Sequence, residues 1–380
     1  MMDYSYGSSF EKELHNDIKN LIETGYDRPR DDTEFNDLSL RLFRFQYENC
    51  ELYRKFCESK DLTPSNVNIW RDIPAIPAEA FKYNDIACFP LEKAKFVFMT
   101  SGTKDPNLRG KSYRDDSNME LLELAYYAVW QHYASPDKRR LKGLMMSPPP
   151  ELLDPNSSIT LTIGLVVKIL FSEVEWVIGP QGIDINAIVN SSKQAEATGE
   201  PIMFIGPSFG FIPLFDACQE KGIKFQLPDG SRLCDGAGFK GRSREISKEE
   251  FLSLSSEIFG LPDENLINQY ACTEVTSIFI DNVLKNKIRG ISEPRYKPNH
   301  PWTRTIVVDP NTLSEPVPQR LPSGERGVVR FYDLTNKSTV MAIQTEDLGC
   351  EINDGFEIFE RARGIGGCSL AIEEFLEASK

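Results

Sequence analysis

The chain has 380 residues, a net charge of −14 from 43 basic and 57 acidic side chains, and is 40% hydrophobic with 25 Gly and 24 Pro. This composition belongs to a globular protein large enough to bury a core without disulfides, and it excludes disorder and collagen-like repetition. The acidic balance argues against wrapping nucleic acid, because phosphate binding needs a concentrated surplus of Lys and Arg. The densest basic cluster, Lys138-Arg139-Arg140, is short and reads as a solvated turn or helix end.

In chain order, residues 8–60 have helical character, with Phe43, Phe45, Tyr47, Tyr53 and Phe56 on buried faces. Ile73-Pro74-Ala75-Ile76-Pro77 must be extended, since residues before proline avoid the helical region. Phe96-Val97-Phe98-Met99 reads as a strand that ends in the polar stretch 100–103. An amphipathic helix is expected over 118–133 and two buried strands within 159–178. Further strands are expected at 201–205, 223–227 and 306–308, and short strands dominate after about residue 300, at 328–331 and 356–359. Strands alternating with helices predict an α/β fold with a partly parallel sheet and a small β-rich subdomain. The division expected is 1–300, 301–363 and a short segment 364–380.

No basic leader followed by an apolar stretch opens the sequence, and the apolar run 159–178 is broken by Lys168, Ser172, Glu173 and Glu175. The expectation is a cytoplasmic protein without a secretion signal or a membrane span. Eight cysteines, none in a CxxC pair, are expected to be reduced. Three histidines far apart (His15, His132, His300) leave little material for a zinc site or a Ser-His-Asp triad.

Three constellations can carry chemistry. Thr100-Ser101-Gly102-Thr103 follows an apolar strand, and its hydroxyls and amides suit phosphate oxygens. Lys104, Arg109 and Lys111 follow within a few residues, but the spacing is not that of a P-loop, and a plain turn has the same composition. The second is Gln269-Tyr270-Ala271-Cys272-Thr273-Glu274. The third is Thr345-Glu346-Asp347-Leu348-Gly349, followed by Asp354-Gly355-Phe356 and by Arg361 and Arg363. Near the end, Gly366-Gly367-Cys368 precedes a helix with Ile372, Phe375 and Leu376 on one face. A thiol at a helix N-terminus has its thiolate favoured by the dipole and free amides, although a free cysteine is more often a small packed hydrophobe. The Phe-rich stretch 204–215 reads as core or as the lining of an apolar channel.

In this order and at these distances the motifs resemble those of adenylate-forming enzymes. The resemblance implies that Thr100, Ser101, Gly102, Thr103 and Lys111 meet ATP phosphates. It implies that Gly236-Ala237-Gly238 borders the adenine, that Tyr270 stacks on it and that Thr273 touches the α-phosphate. Glu274 would hold Mg²⁺, Asp347 the ribose, and Arg361, or else Arg363, the nucleotide.

Within that superfamily the chain resembles the acyl-protein synthetase family, the fatty-acid-activating subunit of bacterial bioluminescence reductase complexes. The stretch Ile73–Pro77 with Phe81 and Lys82, the C-terminal Gly366-Gly367-Cys368-Ser369-Leu370 and the early stop after Arg363 carry this resemblance. It implies an adenylation body lacking most of a lid of about 100 residues. It also implies Mg²⁺- and ATP-dependent formation of acyl-AMP from a fatty acid, Cys368 as acyl acceptor, and an acyl-CoA reductase-type partner. Two other readings stand beside it: an acyl- or aryl-CoA ligase, and a non-catalytic scaffold that keeps the fold.

Overall fold

A computed structural model describes residues 2–100, 108–239, 241, 243–313, 315–361 and 366–378. Three helices come first. α1 (Ser9–Thr24) begins where the Ser8 hydroxyl accepts from the Glu11 amide, and α2 (Asp32–Asn49) where the Asp31 carboxylate accepts from Thr33 and Glu34. Each cap satisfies donors that a first helical turn leaves unpaired. α3 (Glu51–Ser59) follows, then the short strand β1 (Ile76–Pro77) and the antiparallel pair β2 (Phe96–Met99) and β3 (Lys111–Arg114).

α4 (Asp116–Val129) continues into a π-helical stretch, Trp130–Ala134. Next come β4 (Leu141–Met145), α5 (Ser158–Leu170), β5 (Phe171–Trp176), the small hairpin β6 (Ile178–Gly179) and β7 (Gly182–Ile183), and α6 (Ile185–Thr198). β8 (Ile202–Pro207), α7 (Ser208–Lys221), β9 (Arg232–Gly236), α8 (Lys248–Phe259) and β10 (Leu266–Tyr270) then alternate strand and helix. The last part runs β11 (Phe279–Ile280), α9 (Val283–Arg289), β12 (Lys297–Pro298), β13 (Thr303–Val308), β14 (Gly327–Asp333), β15 (Ala342–Ile352), β16 (Gly355–Arg361) and α10 (Gly366–Ala378).

Packing sorts these elements into two compact units that do not follow the chain in order. One comprises Met1–Ala128, Cys272–Ser277 and Lys297–Lys380; the other comprises Val129–Ala271 and Ile278–Tyr296.

The second unit holds a sheet in the order β11-β10-β9-β8-β4-β5, parallel except for β11. Parallel neighbours need crossover connections, which α5, α6, α7 and α8 supply. The core joins Leu144, Phe204, Leu233 and Leu266 of the strands to Phe211, Phe215, Phe251 and Phe259 of the helices. Phe204 and Phe259 stand 4.6 Å apart, and Phe211 meets Phe251 edge-on at 5.7 Å. Phe204, Phe211 and Phe215 of the Phe-rich stretch are therefore packed core.

The first unit holds an antiparallel sheet in the order β12-β16-β15-β14-β13, and β1 adds to it in parallel with Ile76 opposite Ile343. Every residue of β13 and β14 is buried. Trp302, Phe331, Tyr332, Ile343 and Phe356 are each fully covered.

Two sequence expectations fail in the second unit. Residues 158–170 form α5 and not a strand, with Ser157 as its cap; only 171–176 is extended. An apolar run that is hydrophobic all round has no period to separate the two forms. Residues 223–227 join no sheet; the Phe225 and Leu227 amides bond instead to the Ile258 and Phe259 carbonyls at the end of α8.

Candidate nucleotide and acyl-transfer site

The first unit carries most of the sequence-predicted residues. Thr100 closes the β2–β3 hairpin: its amide donates to the Gly110 carbonyl at 2.9 Å, and its Oγ1 accepts from the Gly110 amide at 2.8 Å. A side chain on Gly110 would stand 3.1 Å from the Thr100 methyl, so the approach is close. Arg109 bends back, with Nε donating to the Thr100 carbonyl at 2.6 Å. The two ends of the phosphate-loop candidate are thereby tied together. Ser101, Gly102, Thr103 and Lys104 lie outside the described residues. Lys111 is exposed at the start of β3, 3.6 Å from Asp85.

Arg114, three residues on, is fully buried. It donates to Thr339 Oγ1 at 3.3 Å, and its Nε has no hydrogen-bond partner among the described residues. Burial lowers its pKa to about 10, against the attraction of Asp333.

Asp347 and Arg361 face each other across the β15–β16 pair. The Thr345 hydroxyl accepts from the Asp347 amide at 3.2 Å and donates to the Val329 carbonyl at 2.7 Å, so the Thr-x-Asp spacing is a local brace. Beyond it the ladder bulges between Leu348 and Gly349, where a Cβ would stand 2.3 Å from the Glu357 carbonyl. Only glycine fits that bulge. Arg361 is described by its backbone alone, and Arg363 lies outside the described residues.

Thr273 and Glu274 sit in a turn closed by the Val275 amide donating to the Cys272 carbonyl. Glu274 is half-buried, and its carbonyl accepts from Asn336 Nδ2 at 3.0 Å. Among the described residues no three His, Cys, Asp or Glu side chains are grouped to hold a metal. A magnesium ion that arrives with a nucleotide needs only one or two carboxylates, with phosphates and water completing the shell. A single half-buried carboxylate fits that mode.

Cys368 is the third residue of α10 and half-buried. Its thiol is pushed up to about 11, by burial first and then by the Glu346 and Glu79 carboxylates. This reverses the expected direction: the helix dipole is outweighed by desolvation and like charge. The helix rests on Phe375, fully covered and 5.2 Å from Phe56, and on Glu374, 2.6 Å from Lys60 Nζ.

The second unit carries the remainder. β8, β9 and β10 end side by side at Pro207, Gly236 and Tyr270, and the carboxyl ends of parallel strands are where such sheets bind ligands. Ala237 and Gly238 both take left-handed backbone, at φ 58° and 61°. For Ala237 this costs about 1–2 kcal/mol, and strain of that kind clusters at ligand clamps. Asp235, mostly buried, sets the turn: it accepts from Ser208 Oγ at 2.6 Å and Asn268 Nδ2 at 3.1 Å. Tyr270 ends β10 opposite Phe279 of β11.

Open clefts of about 590 and 720 Å³ lie among the described residues. The first is walled by Arg30, Arg71, Arg304 and Arg320, the second by Lys12, His15 and Lys93. The described residues that line them include neither Cys368 nor a residue that the resemblance assigns to the nucleotide or the metal.

Asn336, Asp333, Arg114 and Asp235 went unnoticed in the sequence. The run 333–339 is polar and reads as a surface loop, yet every residue from 327 to 345 is buried. Only the tertiary fold distinguishes the two.

The mixed α/β fold is that of the N-terminal body of adenylate-forming enzymes. An open conformation of 2-hydroxyisobutyryl-CoA ligase, in complex with 2-HIB-AMP and CoA, superposes with a TM-score of 0.58 at 12% identity, covering 92% of this chain and 69% of that one. ATP-bound MatB from Rhodopseudomonas palustris gives 0.48 at 14% identity, over 72% of this chain and 49% of that one. A long-chain-fatty-acid-CoA ligase (FadD1) from Archaeoglobus fulgidus gives 0.46 at 12% identity, over 72% and 52%. The chain thus spans about half the length of the last two. At these identities the likeness is one of fold. The sequence model of the family described as acyl-protein synthetase, LuxE, matches residues 22–374, and the chain belongs to that family. No curated protein sequence matches it. No helix among the described residues is long and apolar enough to cross a membrane.

Proposed function

We propose that this chain uses ATP to activate a fatty acid and passes the acyl group to Cys368 as a thioester. In the first step a carboxylate oxygen of the acid forms a bond to the α-phosphorus, the bond to the β-phosphate oxygen breaks, and pyrophosphate leaves. In the second, the Cys368 sulfur bonds to the acyl carbon, the bond to the AMP oxygen breaks, and the thiol proton passes to solvent. An acyl-CoA reductase-type protein in the cytoplasm is the natural recipient of the thioester.

The residues assigned are Thr100, Ser101, Gly102, Thr103 and Lys111 for the phosphates, and Gly236, Ala237, Gly238 and Tyr270 for the adenine. Thr273 takes the α-phosphate, Asp347 the ribose, and Arg361 the nucleotide. Mg²⁺, held by Glu274, would neutralise phosphate charge. The chain's own part is to orient the acid and nucleotide and to surround the phosphates with amides and basic side chains.

The observation that carries the reading is the family match, which contains the ordered motifs and reaches past Cys368. The reading is supported by Glu346, within the Thr-Glu-Asp motif, being one of the carboxylates whose charge raises the Cys368 thiol. A second reading, an acyl- or aryl-CoA ligase, is favoured by the Cys368 thiol itself: a group pushed up to about 11 is almost wholly protonated at neutral pH as placed.

Intact mass after incubation with Mg-ATP and a panel of fatty acids, followed by hydroxylamine, separates them. The expected result is a hydroxylamine-labile adduct on wild type, absent from Cys368→Ser, with pyrophosphate release kept in a single turnover. Acyl-CoA formation by Cys368→Ser at the wild-type rate, with no adduct on wild type, would establish the ligase reading instead. No pyrophosphate release with any acid would leave a scaffold.

A further inference from the structure

The segment 272–277 packs with the first unit, while the residues just before and after it belong to the second. Within the first unit, the part of this segment around Glu274 and Thr276 is bonded by one side chain, Asn336. Asn336 is fully buried, and its amide makes four hydrogen bonds. Oδ1 accepts from the Thr276 amide at 2.7 Å and from the Thr276 hydroxyl. Nδ2 donates to the Glu274 carbonyl at 3.0 Å and to the Val340 carbonyl at 3.1 Å. An amide group has two acceptor sites and two donor hydrogens, so this one is saturated. Its orientation is unambiguous, since a backbone N–H demands the oxygen and two carbonyls demand the nitrogen.

Asn336 is itself held from behind. Gln46, fully buried on α2, donates from Nε2 to the Asn336 carbonyl at 2.8 Å and accepts at Oε1 from the Met341 amide at 3.0 Å. Next to the clamp, the Ser277 amide donates to Asp333 Oδ2 at 2.7 Å, and Trp302 Nε1 donates to Ser277 Oγ at 3.0 Å. The residues on both sides of Val275 therefore hang from the loop 333–341. A carboxylate that must meet a metal–nucleotide tolerates little displacement, because misplacement by about 1 Å costs about 100-fold in rate.

We infer that Asn336 is a positioning residue for the Thr273–Glu274 turn, and that its amide, backed by Gln46, sets the affinity of the site for magnesium-bound ATP. This inference rests on the reading of Thr273 and Glu274 as nucleotide- and metal-binding residues.

The test measures Mg-ATP binding by calorimetry, together with pyrophosphate release and cooperative melting, in wild type, Asn336→Leu, Asn336→Asp, Thr276→Val and Glu274→Gln. Asn336→Leu loses all four bonds and should weaken Mg-ATP binding about tenfold or more, the scale of one or more lost buried hydrogen bonds. Asn336→Asp keeps the acceptors for Thr276 but loses both donors, and should fall between wild type and Asn336→Leu. Thr276→Val keeps the amide bond and loses only the hydroxyl, so about a two- to fivefold loss is expected. The KM for the acid should stay within about twofold, since a local displacement of Glu274 leaves acid contacts in place. A purely structural role would lower the melting temperature and leave the Mg-ATP affinity of the folded protein unchanged, and that outcome overturns the inference. If Asn336→Leu does not fold, Asn336→Asp and Thr276→Val decide by the same criterion. Glu274→Gln separates the two failures. Wild-type Mg-ATP affinity in that variant removes the nucleotide reading and the inference with it. Weakened binding there, with wild-type affinity in the Asn336 and Thr276 variants, removes the inference alone.

Discussion

Around Glu274, Asn336 spends all four hydrogen-bonding positions of its amide, and Asp333 accepts from Ser277 and Thr335, entirely out of water. Around Cys368, α10 rests on the ring of Phe375, on Ala371 and Ile372, and on one ion pair between Lys60 and Glu374. The turn is held by directional bonds whose loss leaves buried polar groups orphaned, which is expensive. The helix is held by apolar contact and a partly exposed charge pair, which release in smaller steps. Metal and phosphate chemistry needs a fixed carboxylate. Under the proposed function the Cys368 thiol must accept an acyl group and give it up, and a lightly held helix suits that.

The largest expected effect tests the rigid side. Asp333→Ala strips acceptors from the Ser277 amide and from the Thr335 amide and hydroxyl, all buried. It should cost about 4 kcal/mol of stability by urea unfolding. A change below about 1 kcal/mol would mean that water replaces the carboxylate and that the network is less demanding than its geometry implies.

Phe375→Ala tests the lighter side. It should cost about 3 kcal/mol, at the low end for a buried Phe because a surface helix can shift to fill the gap. Unlike Asp333→Ala it should act locally, raising amide exchange in α10 and leaving the two sheets protected. Its second readout is the thiol. A pKa raised in the docked state means that docking is at full strength below the ordinary cysteine value of 9.0, and weakens as pH rises from there through about 11. At pH 9, alkylation of Cys368 mapped by peptide mass should be about tenfold faster in Phe375→Ala than in wild type. Equal rates would show that Glu346, Glu79 and burial do not govern this thiol.

Lys60→Ala should do least. The pair with Glu374 is short but partly exposed, so about 0.5 kcal/mol is expected, with a slight rise in Cys368 reactivity that salt mimics. An effect as large as that of Phe375→Ala would move the main anchor of α10 from the aromatic contact to the charge pair.

Much of this was legible in the chain. The helical character of residues 8–60, the strand before Thr100, the strands after 300 and the terminal helix all carry a clear period or punctuation. Residues 158–170 do not, because Ile159, Leu161, Ile163, Leu165, Val166 and Val167 are apolar on every side and serve a helix as well as a strand. The motif residues Tyr270, Thr273, Glu274, Asp347 and Arg361 were visible as an ordered set, and Cys368 as a cysteine opening the terminal helix. The state of that thiol was not visible, because Glu79 lies far from it in sequence and acts only through the fold.

Strand–helix alternation indicated the α/β class of fold, since period is a property of the chain, and the ordered polar motifs carried the resemblance to the family whose model matches residues 22–374. Tertiary structure alone decided which polar residues are buried. Asn336, Asp333 and Arg114 look like solvated loop and strand residues until the sheet closes over them. Burial then sets what each can do, because a hydrogen bond or a charge removed from water gains or loses far more than the same group at the surface.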